Sequence, residues 1–320
     1  MSRETTQATK DLPPLDASNY SGSTFASQPT DDNNSQPPTD STTRNLRLRH
    51  CPPYWHANRV RAKGRWLDRE ILEMVSTEFR DRSVEYYASP HKYALRIGAT
   101  RVNGKPAPPG TIIRQGDLIE NMRHRHEPPI TSIPVKIVHR DEQNGFIVID
   151  KPPSVPVHGV GRYYKHSLVE ILKREHGIEK PYTVNRLDRL TSGCMFIGLN
   201  PVTARVLTEE ISSGTMRKEY LARCLGRFPE EETTVDQPML SVDRQMGLNA
   251  VHPQGKEAIT VFKRLFYDEK TNTSVVHCRP LTGRTHQIRV HLQHIGYPIA
   301  NDPIYADEKV WVGNMLIDRV

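Results

Sequence analysis

One segment in the middle of the chain reads Tyr182-Thr-Val-Asn-Arg-Leu-Asp-Arg-Leu-Thr-Ser-Gly-Cys-Met-Phe-Ile-Gly198. It places one carboxylate, Asp188, between Arg186 and Arg189, and a Thr-Ser-Gly turn then leads into the apolar residues 194–197, which predict a buried strand. Because nearby guanidinium groups favour an ionised carboxylate, Asp188 suits a nucleophile or a fixed anion and not a general acid. On these residues alone, a surface ion pair and a functional site are equally good interpretations.

The chain is basic, and its charge is unevenly distributed. Its 320 residues carry a net charge of +7. Residues 1–43 hold two basic and six acidic residues, a net charge of −4, which leaves +11 on the rest. Such an excess predicts a polyanionic partner, most simply nucleic acid. A basic protein kept soluble by its charge is an alternative that charge alone leaves open.

Cysteine spacing and hydropathy exclude several classes of protein. Cys51, Cys194, Cys224 and Cys278 are far apart and form no Cys-x-x-Cys pair, so we predict reduced, mostly buried thiols of an intracellular protein. No apolar run approaches the roughly 18 residues of a membrane span, and the N-terminus has no hydrophobic signal core. We therefore expect no membrane association and a cytoplasmic location, with the nucleus and the mitochondrion as alternatives.

Composition divides the chain into segments. Residues 1–43 are polar and have almost no large apolar side chains, which predicts a disordered tail. Residues 44–65 form a basic arm with interleaved aromatic side chains, which either grip RNA or anchor the arm on the domain. Residues 66–121 predict a small α+β module, in which a strand enters a turn at Asn103-Gly104. Residues 122–132 predict a polar linker, whose His124 and His126 make only a weak metal site without a second ligand cluster. Residues 133–320 predict an α+β domain with a mostly antiparallel mixed sheet flanked by helices.

Turn and capping residues place elements of the large domain. Gln143-Asn-Gly145 predicts the turn of a β-hairpin. Ser167 and Glu170 have the spacing of a capping box, which predicts a helix that starts at residue 168, and Gly177 is predicted to end it. Pro201 suits the first position of the next helix, because its missing N–H would be unpaired there in any case.

The last predicted helix carries an arginine that needs a partner. Thr285 is predicted to cap this helix, and Gly296 to end it. Arg289 lies at the edge of the helix's apolar stripe, where an unpaired charge is costly to bury. We therefore expect Arg289 to reach a carboxylate, and Asp188 is the candidate.

Three segments together resemble the RluA family of pseudouridine synthases. They are Asn185-Arg-Leu-Asp-Arg-Leu-Thr-Ser-Gly193, Lys218-Glu-Tyr220 and Gly283-Arg-Thr-His-Gln-Ile-Arg-Val-His291. The resemblance covers roughly residues 133–305 and implies a pseudouridine synthase fold. Other segments, among them His124-Arg-His-Glu-Pro-Pro129, look most like the eukaryotic branch, whose members modify transfer RNA, including uridine of the anticodon loop.

The smaller module is similar to S4-type RNA-binding modules. The resemblance rests on Val102-Asn103-Gly104 and Gln115-Gly-Asp-Leu-Ile119, together with Ile97-Gly98. In such a module, basic side chains contact phosphates, which positions RNA without reading its sequence. Solvated charges on turn residues are the alternative interpretation.

The resemblance to the RluA family implies a role for each matching residue. Asp188 looks like the essential catalytic aspartate, Tyr220 like the tyrosine that packs on the target uracil, and Arg289 like the arginine paired with the aspartate. Arg186 resembles the arginine that fills the space left by the extruded base. The RNA-binding residues implied by the two resemblances are Arg186, Arg189, Arg284, Gln287, His291, Arg96, Arg101 and Lys105.

The implied reaction breaks a C1′–N1 bond and makes a C1′–C5 bond without redox change, so we expect no cofactor and no metal. A stacked base must first be flipped out of the RNA. Asp188 then acts either as a nucleophile at C1′ or as a base at C2′. We expect a monomer that binds RNA. A non-catalytic RNA-binding or chaperone protein and a synthase directed at ribosomal RNA are the alternatives.

Two features depart from the family pattern. Asn185 stands where many members have histidine, a variation that occurs in the eukaryotic branch. Members usually continue past the Asn301-Asp-Pro-Ile-Tyr305 region with another strand and helix, whereas this chain stops at Val320. We therefore expect a truncated or a divergent C-terminal end.

Overall fold

The structure is a computed structural model that describes residues 48–79, 95, 98–243 and 247–307. The predicted disordered tail lies outside these ranges. The helices of the described residues are α1 (Ile71–Glu78), α2 (Leu168–His176), α3 (Pro201–Ser212) and α4 (Gln287–His294). The strands of the described residues are β1 (Leu48–Arg49), β2 (Tyr54–Arg61), β3 (Thr100–Val102), β4 (Lys105–Pro106), β5 (Leu118–Arg125), β6 (Ile130–Thr131), β7 (Lys136–Asp141), β8 (Phe146–Lys151), β9 (Tyr182–Thr183), β10 (Gly193–Gly198), β11 (Tyr220–Leu225), β12 (Thr233–Asp236), β13 (Met239–Asp243), β14 (Leu248–Val251), β15 (Ile259–Asp268) and β16 (Thr273–Pro280).

All pairs of these strands are antiparallel. Three sheets have four strands each, in the orders β2-β5-β3-β4, β7-β8-β10-β9 and β11-β16-β15-β12. Two short pairs, β1–β6 and β13–β14, complete the described strands. The predicted α+β class with antiparallel pairing is confirmed, and the strands of the large domain form two four-stranded sheets and the β13–β14 pair. None of the described helices is long and apolar enough to cross a membrane.

The first sheet uses residues that were expected in the arm and in the linker. β2 comes from the expected arm and pairs along its whole length with β5, which extends to Arg125. Val60 of β2 and the buried Ile119 of β5 pack with α1 in one hydrophobic cluster. Burial of this apolar face explains why the basic segment becomes a strand. The predicted turn at Asn103-Gly104 joins β3 to β4, with φ values of +52° and +78°.

Glu127 connects this first sheet to the segment that precedes α2. Its carboxylate accepts hydrogen bonds from the Tyr54 hydroxyl of β2 and from the backbone N–H groups of Lys165 and His166, the latter two at 2.8 and 2.9 Å. The Lys165 ammonium also lies 4.0 Å from the centre of the Tyr54 ring. A buried carboxylate that keeps its charge needs several donors, and here those donors come from both sides of the contact.

The predicted capping box of α2 is absent. The helix starts after Ser167 as predicted, but the Ser167 hydroxyl donates to the Tyr164 carbonyl at 2.7 Å and caps no helical N–H. Glu170 instead pairs with Lys173 at 2.7 Å on the helix surface. The helix ends at Gly177, whose φ of +68° is the left-handed conformation expected there.

Helix α3 packs directly on strand β10. It begins at Pro201 as predicted, and the Asn200 side chain accepts a hydrogen bond from the Thr203 N–H at 2.9 Å. A Cβ atom on Gly198 of β10 would lie 2.9 Å from the Ala204 Cβ. Glycine at this position therefore permits the close approach of helix and strand.

Strand β10 alternates between core and surface. Met195 and Ile197 are fully buried in the cluster below α2, whereas Cys194 is exposed. The predicted buried strand is therefore half-buried, and the prediction of a buried thiol is wrong for Cys194, because successive side chains point to opposite faces of a sheet. Cys224 and Cys278 are buried as expected.

Candidate active site

Asp188 lies in the loop between β9 and β10. Both strands belong to one sheet, so both ends of the loop are fixed. Val184 and Leu187 are buried within the loop and attach it to the core. The Thr191 N–H donates to the Asp188 carbonyl at 3.1 Å, which closes a turn directly after the aspartate. The carboxylate is therefore carried by a tightly held loop.

Lys151, at the end of β8, ties a second loop to the Asp188 loop. Its ammonium donates to the carbonyls of Pro152, Val155 and Arg189 at 2.9, 2.8 and 3.4 Å. The side chain is fully buried, and burial lowers its pKa to about 8, although the Asp188 charge opposes the shift. Sequence reasoning gave Lys151 no role, although a lysine at the end of an apolar strand was a usable signal.

Arg289 of α4 contacts Asp188, as its position in the helix predicted. Arg289 Nη1 lies 3.2 Å from Asp188 Oδ2. Arg186 and Arg189, which flank Asp188 in the sequence and were first considered as its partners, are exposed. The Arg189 guanidinium instead lies 5.6 Å from the centre of the Tyr163 ring. The cation that pairs with the aspartate thus comes from a distant helix and not from the Arg-Leu-Asp-Arg sequence itself.

Arg289 also binds a second carboxylate, which sequence reasoning missed. Arg289 Nε and Nη2 donate to the two oxygens of Asp302 at 2.7 and 2.9 Å. Asp302 Oδ1 accepts the N–H groups of Ile304 and Tyr305 at 3.0 Å as well. Burial by itself would raise the pKa of Asp302, but these bonds lower it on balance. The five donors of a guanidinium made a second acceptor foreseeable.

The N-cap position of helix α4 is occupied by His286 and not by Thr285, which corrects the predicted cap. His286 has a φ of +61°, and its side chain caps no helical N–H. Its Nε2 lies 3.7 Å from Asp188 Oδ2, and its Nδ1 lies 2.9 Å from the Tyr305 hydroxyl. Burial lowers the pKa of His286, which keeps the ring neutral near pH 7.

Tyr220 is the first residue of β11, at the boundary between two hydrophobic clusters. It packs against the cluster under α2 and against the cluster of the β11 sheet. Burial raises the pKa of its phenol, and the negative charge of Asp188 adds to the rise. Tyr220, Arg289 and Asp188, the three predicted catalytic residues, are therefore brought to one place.

The prediction that Gln287 and His291 bind RNA is corrected by their burial in the structure. Both side chains are buried, with 4% and 0% exposure. Gln287 accepts from the Arg284 N–H and donates to the Ile259 carbonyl, at 2.9 and 3.0 Å. His291 has its ring nitrogens 2.9 Å from Thr260 Oγ1 and 3.0 Å from the Gln237 carbonyl. These side chains hold α4 on β15 and offer no face to a ligand.

The remaining predicted RNA-binding residues occupy two places. Arg186, Arg189 and Arg284 are exposed on the two loops that carry the site, and Arg284 Nε donates to the Glu257 carbonyl at 2.8 Å. Arg101 and Lys105 lie on β3 and β4, in a different sheet. Arg96 lies outside the described residues.

The described residues contain no group of three or more histidine, cysteine, aspartate or glutamate side chains that could hold a metal ion. His124 and His126, which sequence reasoning had weighed as a weak metal site, contact each other through ring nitrogens 2.9 Å apart. Trp55 lies beside them, and its ring centroid is 5.1 Å from that of His124.

The family model for RNA pseudouridylate synthase matches residues 145–294. The mitochondrial tRNA pseudouridine(32) synthase of Saccharomyces cerevisiae is 44% identical over 84% of this chain and 57% of that protein. Pseudouridylate synthase RPUSD2 of Homo sapiens is 42% identical over 81% of this chain and 46% of that protein. The tRNA pseudouridine(31) synthase of Saccharomyces cerevisiae is 33% identical over 81% of this chain and 72% of that protein.

The chain belongs to the RNA pseudouridylate synthase family. The predicted likeness to the RluA type and to its eukaryotic tRNA-modifying branch is confirmed by these relatives. The chain spans about half the length of the first two relatives. The likeness of residues 66–121 to an S4 module and the predicted domain boundaries stay predictions.

Proposed function

We propose that the protein isomerises specific uridines to pseudouridine in structured RNA, and that the RNA is a tRNA modified in its anticodon-loop region. The observation that carries the proposal is the 3.2 Å contact between Asp188 and Arg289, made by residues 101 positions apart in the chain. A protein that only binds RNA gains nothing from a carboxylate in its binding cleft, because phosphates repel it. Family membership and relatives named for tRNA support the same proposal.

In this proposal the nucleotide is flipped out and received beside Asp188. Arg186, exposed on the same loop, fills the space that the base leaves, and Tyr220 packs on the uracil. Stacking on an aromatic ring returns about 1–3 kcal/mol per base, which offsets part of the cost of unstacking. The C1′–N1 bond then breaks and a C1′–C5 bond forms, with Asp188 as nucleophile at C1′ or base at C2′. The chemistry needs no cofactor and no metal.

The exposed arginines Arg189 and Arg284 contact phosphates around the site. We assign a second phosphate contact to Arg101 and Lys105, which flank the β3–β4 turn of the S4-like module. Such contacts position the RNA and do not read its sequence. The protein acts as a monomer in the cytoplasm. A single mass for the protein–RNA complex and imaging of the tagged chain test these two points.

The decisive experiment compares the wild-type chain with an Asp188→Asn variant on tRNA. Carbodiimide mapping should locate pseudouridine with the wild type and none with D188N, while a filter-binding assay should give equal or tighter RNA binding for D188N. Asp236→Asn, on the exposed part of β12, is the matched control and should behave as wild type.

Each other outcome decides against part of the proposal. If folded wild-type protein binds RNA but makes no pseudouridine, the protein is an RNA-binding or chaperone protein and not an isomerase. Modification of ribosomal RNA and not of tRNA would mean that the proposed substrate is wrong and that the proposed reaction is right. Loss of binding in D188N would mean that Asp188 holds the fold or the RNA and not the reacting ribose.

A further inference from the structure

His286 lies against Asp188, yet the reaction outlined above gives it no role. Its ring is only 14% exposed and its Nε2 is 3.7 Å from Asp188 Oδ2. Its backbone φ of +61° is uncommon for a residue other than glycine. Backbone strain of this kind persists only where the surrounding structure enforces it. The fold therefore holds this ring in place at a cost.

Hydrogen bonds on the far side of the ring are compatible with a tautomer that carries its proton on Nε2. The Asn249 N–H donates to the Tyr305 oxygen at 3.2 Å. The Tyr305 hydroxyl hydrogen can then be donated to His286 Nδ1, 2.9 Å away. A neutral imidazole that accepts at Nδ1 carries its proton on Nε2. The N–H of His286 then faces Asp188.

The two donors around Asp188 act on the same oxygen. Arg289 Nη1 lies 3.2 Å from Oδ2, and His286 Nε2 approaches Oδ2 as well. Oδ1 receives neither of these contacts. Arg289 is itself fixed by Asp302, and His286 is fixed by Tyr305, so both donors depend on the turn formed by residues 301–305.

We propose that His286 is a positioning residue that, together with Arg289, holds Asp188 by Oδ2 and presents Oδ1 to the ribose. The inference rests on the proposed function, since the choice of oxygen matters only if Asp188 acts on the sugar. The distance of 3.7 Å exceeds that of a hydrogen bond. It shortens in the complex with RNA, as contacts in unliganded active sites commonly do.

The charged groups around His286 act in opposite directions. Burial is the largest influence and opposes protonation, Asp188 and Asp302 favour protonation, and Arg289 and Arg186 oppose it. Because the pKa of the ring lies below its ordinary value of 6.5, the ring is a neutral donor above pH 7.

Two substitutions separate the two ends of the ring. In His286→Gln the side-chain amide can place an N–H near the position of Nε2. In His286→Asn the amide oxygen can replace Nδ1 as acceptor from Tyr305, but the shorter side chain brings no donor from position 286 to Asp188, which keeps only Arg289. We expect H286Q to keep kcat within about threefold of wild type, and H286N to lose about 10- to 100-fold in kcat, the usual effect of removing a group that orients a reactive one.

RNA affinity and thermal unfolding should stay at wild-type values in H286N, because asparagine tolerates positive φ. His294→Asn, exposed on the same helix, is the control.

Activity of H286N equal to wild type, or equal losses in H286N and H286Q, would overturn the proposal. Nitrogen-15 NMR of the histidine rings in the full-length, RNA-free protein provides a readout that needs no turnover. We expect the Nε2–H tautomer for His286, and a change at Nε2 in Asp188→Asn. A proton on Nδ1 would overturn the proposal even if the enzyme is active. A wild-type protein that makes no pseudouridine would instead refute the proposed function, and the NMR result would still decide how the ring is held.

Discussion

Asp302 binds Arg289 more closely than Asp188 does. Two hydrogen bonds of 2.7 and 2.9 Å join Arg289 to Asp302, whereas one contact of 3.2 Å joins it to Asp188. The guanidinium is thus placed by the C-terminal turn and only then offered to the aspartate of the active-site loop. A carboxylate that shares its cation in this way stays available for a reaction, because its own oxygens are incompletely bonded.

Asp302→Asn should reduce turnover and stability together. Asparagine keeps the shape but removes the charge, which leaves Arg289 with a neutral partner in a buried site, at a cost of about 3 kcal/mol in unfolding free energy. We expect kcat to fall at least tenfold while RNA affinity stays within threefold. Because the pKa of Asp302 is lowered from 3.8, its contribution is complete above about pH 4 and is lost as the pH falls through the lower folded value. Urea unfolding at pH 7 and pH 3 measures this, and Asp236→Asn is the control. An unchanged difference at the two pH values would contradict the assignment.

Lys151 should make the protein more stable as the pH rises from 8 to 10.5. Its pKa falls from 10.5 to about 8 on folding, so in this range the unfolded chain holds a proton that the folded chain has released. Stability rises wherever the unfolded state binds more protons, here by at most about 3 kcal/mol. Unfolding free energies of the wild type and of Lys151→Met should therefore diverge between pH 7.5 and pH 10, with the wild type gaining. Parallel curves would show that Lys151 keeps its proton.

Tyr220 should act through its ring more than through its hydroxyl. Tyr220→Phe keeps the aromatic face, whereas Tyr220→Ala removes it, together with contacts to both hydrophobic clusters. We expect Y220A to lose about 1–3 kcal/mol of stabilisation in kcat/KM, or roughly 5- to 150-fold, and Y220F to lose much less. Single-turnover assays on tRNA separate the two. Equal losses would mean that the phenol oxygen, and not stacking, carries the role.

Gln287→Leu should destabilise the protein without weakening the RNA contact of its folded fraction. The substitution leaves the Arg284 N–H, the Ile259 carbonyl and the Thr260 hydroxyl without the amide that bonds them. The expected loss is about 3 kcal/mol of unfolding free energy. RNA affinity, corrected for the folded fraction, should match the wild type. A selective loss of affinity at full stability would restore the RNA-binding role first predicted for Gln287.

The turns and helix ends that were predicted correctly are those set by residues close together in the sequence. The Asn103-Gly104 turn, the end of α2 at Gly177 and the start of α3 at Pro201 follow from backbone preferences of those residues. The partner of Arg289 was also found, because a charge beside an apolar stripe requires a counter-charge wherever it lies.

What escaped prediction depends on distant parts of the chain. Strand β2 forms because β5, about sixty positions later, offers a pairing edge and an apolar face. The polar side chains of Gln287 and His291 suggested ligand contacts, but Gln287 bonds to the Ile259 carbonyl of β15, and His291 bonds to the Thr260 hydroxyl and the Gln237 carbonyl. Asp302 and Tyr305 gained their roles when residues 301–305 docked beside α4, which no local pattern encodes.

The dependence on residues 301–305 has a consequence during synthesis. A nascent chain on the ribosome can complete the β7–β10 sheet and expose Asp188 long before Asp302 and Tyr305 have left the exit tunnel. Until they emerge, Arg289 lacks its hydrogen bonds to Asp302 and His286 lacks its contact with Tyr305, so neither side chain is held in position beside Asp188. On the function proposed above, the chain would therefore be inactive towards ribosomal RNA while it is being made, and its site would be complete only once residues 301–305 have been released.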